Sequence, residues 1–61
     1  MNMYQLSQLF VAENRIKSLS VAKVVGENFI RTMAIEGIEA SDVLFVEFDK
    51  VILTDGTEIE I

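Results

Sequence analysis

The sequence predicts an α+β domain, because its apolar residues follow a helical period in the middle of the chain and a strand period in the last third. After Ser20, a residue type suited to an N-cap, Val21, Val25, Phe29 and Met33 recur at every fourth position. Ala22, Val24, Thr32 and Ile35 widen the same stripe. Gly37 can adopt the left-handed conformation that ends a helix, leaving Ile38 to pack back on Met33. One amphipathic helix over residues 21–36 follows from these signals.

From Val43 to Thr54 the residues are β-branched or aromatic with charges interspersed, and after Asp55-Gly56 the run Thr57 to Ile61 alternates polar and apolar. Asp-Gly between two such runs is the strongest short-range hairpin signal, since a two-residue type I′ turn needs positive φ at both central positions. The expected architecture is one helix packed on a small, mostly antiparallel sheet, with a C-terminal β-hairpin turning at Asp55-Gly56. A two-residue loop sets Ile52 opposite Ile59 and Val51 opposite Glu60. Leu44, Val46, Phe48, Ile52, Ile59 and Ile61 then form the core face, and Val43, Phe45, Glu47, Asp49, Val51, Leu53, Glu58 and Glu60 the other. Twelve unbroken residues is long for a strand, so a bulge, bend or turn is expected at Asp49-Lys50.

Opposite the helix stripe, Lys23, Glu27 and Arg31 form a ladder of alternating sign that marks the solvent side. Ile30 lies off the stripe beside this ladder, which points to a second contact surface. The first nineteen residues fit two patterns. As a helix, Met3, Leu6, Leu9 and Phe10 share a face, but Glu13 falls within it and Val11 opposite. As strands, residues 7–19 turn around Glu13-Asn14. The strand reading is preferred, because it gives the broad helix stripe a larger sheet to cover.

Proline is absent, and the 61 residues read as one domain without repeat or linker. A chain this short buries only about 60% of its unfolded surface, so a disulfide, a metal or a second subunit is the usual support. Cysteine and histidine are both absent. That removes disulfides and the usual structural zinc ligands, leaving association as the remaining device. With 51% hydrophobic residues against 25% charged, a homodimer or higher oligomer is expected to bury part of the apolar set. No run approaches the roughly 18 apolar residues of a membrane span, and Arg15 is the first basic residue, so a cytoplasmic protein without a membrane anchor is expected. Ten acidic against five basic residues, a net charge of −5, disfavour binding to nucleic acid.

The same absences argue against an enzyme, since neither a histidine base nor a cysteine nucleophile is present and no glycine-rich phosphate loop occurs. No cofactor is expected. Glu47, Asp49, Glu58 and Glu60 are the candidate site residues. Four acids sharing one sheet face ordinarily form a solvated surface. Mixed with aliphatic groups, they can also match a basic, partly apolar patch on another protein. The expected function is a non-catalytic protein-binding module, of which an inhibitor of the short phage type is one form. A subunit that only assembles, and a small-ligand pocket at a dimer seam, are the other two readings.

Overall fold

Asn2 and Gln5 begin the fold. In the computed structural model, which describes all residues 1–61, the Asn2 side chain accepts the Gln5 backbone N–H and the Gln5 side chain accepts the Asn2 N–H, each at 2.8 Å. This reciprocal capping box satisfies two of the N–H groups that a helix start leaves unpaired. It starts helix α1, Met3–Glu13. The strand expected over 7–19 is therefore corrected to a helix and a turn. The conflict that favoured a strand dissolves in three dimensions: Leu6 and Phe10 face the core, Val11 faces a second helix, and Glu13 is the last, exposed residue.

The chain leaves α1 through a Schellman turn without glycine. Arg15 N–H donates to the Ala12 carbonyl at 3.0 Å and Ile16 N–H to the Val11 carbonyl at 3.2 Å, with Arg15 at φ 56°. Helix α2, Leu19–Ile35, follows within one short connection. Its N-cap is Ser18, whose Oγ accepts the Val21 N–H, so the helix starts two residues before the position that Ser20 suggested. At the other end the sequence signal holds. Gly37, at φ 70°, donates to the Ala34 carbonyl at 3.1 Å and Ile38 to the Met33 carbonyl at 2.9 Å.

A 3₁₀ turn at Ala40–Asp42 leads into three strands: β1, Val43–Glu47; β2, Lys50–Leu53; and β3, Glu58–Glu60. They form one antiparallel sheet in the order β1-β2-β3, giving an α+β fold with two helices on a three-strand sheet. The twelve-residue run breaks as expected but one residue earlier, at Phe48-Asp49 rather than Asp49-Lys50: Asp49 takes φ 61°, and Lys50 already pairs with Glu47 as the first residue of β2. The C-terminal hairpin forms as expected, but its register is corrected by one residue. Val51 lies opposite Ile59, and Ile52 opposite Glu58. Leu53 N–H donates to the Thr57 carbonyl at 2.8 Å and Gly56 N–H to the Leu53 carbonyl at 2.9 Å, so the loop is Thr54-Asp55-Gly56. The Asp55 carboxylate accepts the Thr57 N–H at 2.9 Å, which closes a three-residue loop with glycine alone in the left-handed region.

One residue of slip exchanges the faces of a strand. The inner row is Val46, Val51 and Ile59, with Val43, Leu53 and Ile61 beside it. Val43 and Val46 are three positions apart and would ordinarily point to opposite faces. An irregularity between Val43 and Phe45 absorbs Leu44 as an extra residue and turns both valines inward. Onto this row pack Leu6 and Phe10 of α1 and Phe29 and Met33 of α2. The Phe10 and Phe29 rings meet at 5.1 Å between centroids and 37° between planes.

Two substitutions with opposite signs check the helix ends. Gly37→Ala places a side chain at positive φ and is expected to cost about 1 kcal/mol, whereas Arg15→Gly relieves the same strain and gains a few tenths of a kcal/mol once added unfolded-state entropy is counted. Urea midpoints at fixed protein concentration should therefore fall for the first variant and rise for the second.

Candidate functional site

The inner row fixes what the outer face displays. Because alternate residues of a strand point to opposite sides, Phe45 and Glu47 of β1, Lys50 and Ile52 of β2, and Glu58 and Glu60 of β3 share the side away from the helices. Three of the four candidate acids, Glu47, Glu58 and Glu60, are thus brought together. Asp49 lies outside the strands in the adjoining turn. Its N–H donates to the Asn14 side chain at 3.1 Å and its carbonyl accepts the Ile61 N–H at 3.0 Å. It is exposed, and it lines a cleft with Asn14, Glu27 and Arg31 on the helix side rather than the outer sheet face.

Lys50 is the residue that sequence reasoning did not place. It stands on the middle strand, and its Nζ reaches Glu58 at 2.5 Å and Glu47 at 3.7 Å. The hydrogen bond and charge of Glu58 come first, with the charge of Glu47 adding to them, and together they hold the Lys50 ammonium above its usual pKa. One cation therefore bridges acids from the two edge strands. The signal that could have found it is the parity of the chain. A tight turn at Phe48-Asp49 places Lys50 opposite Glu47, and a three-residue loop at Asp55-Gly56 places Glu60 opposite Lys50.

Apolar groups border these charges. Phe45 is 46% exposed, Phe48 and Leu44 are also open, and Ile52 is half-buried. A groove of about 700 Å³ runs along the β1 side, lined by Leu9 and Ala12 of α1 and by Val43, Leu44, Phe45 and Val46, among others. None of Glu47, Glu58 and Glu60 lines a cavity. Nothing encloses one carboxyl to remove its water and separate it from its neighbours, as acid–base chemistry between paired carboxyls requires. No three acidic side chains converge as a metal cage would need, and no buried side-chain nitrogen or oxygen lacks a partner. No helix is long and apolar enough to cross a membrane.

No protein-family model matches the chain, and no curated protein or solved structure matches it. The sheet face therefore rests on its own geometry.

Two titrations report on this region. Hydrogen bonds from Thr57, side chain first and backbone second, hold Asp55 below its usual pKa of 3.8. A depressed carboxylate stabilises the fold fully above its unfolded pKa, and this contribution is lost as pH falls through the folded value. Acid unfolding should accordingly set in at higher pH for the natural chain, relative to its own neutral-pH stability, than for Asp55→Asn. For Lys50 the sign is opposite. A raised ammonium pKa stabilises below 10.5 and is lost as pH rises through the folded value, so Lys50→Met should flatten the alkaline limb of the stability profile.

Proposed function

We propose that the protein is a non-catalytic binding module whose outer sheet face engages a basic, partly apolar surface of another protein. The observation that carries this reading is the uncovered face itself: Glu47, Glu58 and Glu60 beside Phe45 and Ile52. Charge on such a face steers a cationic partner and sets register, while the apolar groups contribute burial after docking. Lys50 serves this face by holding Glu47 and Glu58 in fixed positions, since each would otherwise rotate freely in water. Two pre-positioned carboxylates lose less side-chain entropy on binding than two mobile ones.

The reading is that of a small acidic inhibitor of the kind phages encode, acting in the cytoplasm. A protein that only assembles has no need of a charged open face. The bound partner of an acidic face, in contrast, is released as salt rises, because exposed charges are screened over about 10 Å at 0.1 M ionic strength.

The test is capture of partners by the tagged chain from its native cell at low and high salt, beside the variant Glu47→Thr, Asp49→Asn, Glu58→Thr, Glu60→Thr. Threonine suits a strand and asparagine tolerates the left-handed turn, so the fold should persist. The expected result is a protein held by the natural chain at low salt, released at high salt and absent from the variant. Equal capture by the folded variant would overturn the reading.

A further inference from the structure

The side of the molecule opposite the sheet carries a second open surface. Tyr4, Ser7, Gln8 and Val11 of α1 follow the spacing i, i+3, i+4, i+7, and Leu19, Ala22, Lys23, Gly26, Glu27 and Ile30 of α2 do the same. Each set forms one continuous stripe, and the two stripes flank a groove of about 600 Å³. Its floor is narrow, because the α1–α2 approach is set by small side chains. A Cβ at Gly26 would stand 3.8 Å from Ser7 Oγ. Its rim is apolar and unprotected: Leu19 is 89% exposed, Tyr4 64% and Ile30 37%. A leucine in the first turn of a helix with almost its whole surface in water is explained by nothing inside the chain.

We infer that this helix-pair face is the contact through which two copies of the chain form a twofold dimer. Charge selects the occupant. Each copy carries a net charge of −5, so two copies meet with least repulsion where the local balance is zero. The outer sheet face places Glu47, Glu58 and Glu60 around a single Lys50 and would repel itself. The β1 groove carries Glu13 and no basic side chain. The helix seam carries one lysine and one glutamate, Lys23 and Glu27. Both are exposed, and neither closes an ion pair within its own chain, where the salt bridges are those of Lys50.

Their spacing is self-complementary. Two α2 helices crossing antiparallel about an axis at the level of Val25 bring Lys23 of each copy to the level of Glu27 of the other, two pairs related by the same axis. The same operation carries Leu19 towards Ile30 of the second copy, covering the most exposed leucine with an exposed isoleucine. Tyr4 and Val11 of α1 border the seam on either side. A stable interface needs roughly 800 Å² from each partner, about a fifth of the 4210 Å² surface of this chain. In the resulting dimer the four helices form the central layer and the two acidic sheet faces point outward, so partner binding and dimerisation use separate surfaces.

The experiment is sedimentation equilibrium on the full chain, with far-ultraviolet circular dichroism to confirm the fold of each variant. The natural chain should reach twice its 6.9 kDa mass in the high micromolar range. Lys23→Glu alone and Glu27→Lys alone each set like charges against one another twice, and should weaken association about tenfold. An equimolar mixture of these two variants pairs two opposite charges again and should recover association as a heterodimer. Leu19→Gln with Ile30→Gln should leave a folded monomer. A natural chain that stays monomeric, single charge variants that associate as strongly as the natural chain, or a mixture no stronger than its components would each overturn the inference. Because none of these changes lies on the sheet, loss of the dimer and loss of the acidic-face partner are read separately.

Discussion

Phe29, Met33 and Val51 are the side chains with no exposed surface, and they come from two different layers. Where the two helical residues cover the valine, α2 is held against the middle strand, and Phe10 holds α1 to the same point through the Phe29 ring. Only six of the 61 residues are buried. The fold therefore has one packing centre and no reserve, and the middle strand must present Val51 to it. That requirement fixes the parity of the whole sheet. With Val51 inward, Lys50 and Ile52 must face outward, and their neighbours on β1 and β3 follow through the ladder.

The same constraint explains what was legible in the sequence. The α+β class, the body of α2 and its Gly37 ending were readable because each depends on a local period or on one backbone conformation. Asp55-Gly56 announced a hairpin but left the loop length open, and the choice between two and three residues decides the faces. Of the four acids the error displaced Asp49 alone. Reading β1 and β2 as one alternating strand misplaced Val51, Ile52 and Leu53, the shorter loop added a second slip at β3, and the two slips cancelled for Glu58 and Glu60, while neither reached Glu47. They did not cancel for Lys50, which is why the cation within the acidic face stayed hidden. α1 was missed for a different reason. Asn2 followed three residues later by Gln5 is a capping signal, but the mixed stripe behind it spreads over two contacts, one towards the core and one towards α2, so a single-face reading found it inconsistent.

Two surfaces with different electrostatic character result from one two-layer arrangement. The helices turn one stripe each towards the sheet, which leaves the other stripe of each free, and the sheet turns one face towards the helices, which leaves the acidic face free. Because α1 and α2 pack closely at Ser7 and Gly26, the free helix stripes lie side by side rather than on opposite flanks. A chain too small to enclose its apolar residues thus gathers the surplus on defined sides. Small size and two-sided display are the same property in this fold.

The extra residue at Leu44 gives the first strand a freedom that its neighbours lack. On β2 and β3 any insertion or deletion would reverse inside and outside at once. On β1 the irregularity already separates Val43, which belongs to the interior, from Phe45, which belongs to the exterior, so this joint sets the reading frame of the display. Substitution changes one side chain at a time; loss of Leu44 would bring Val43, Phe45 and Val46 into simple alternation, with both valines still on the interior and Phe45 still outside. β1 can therefore shed this one residue without exchanging its faces, whereas the same loss in the middle of β2 or β3 would turn core residues towards the solvent.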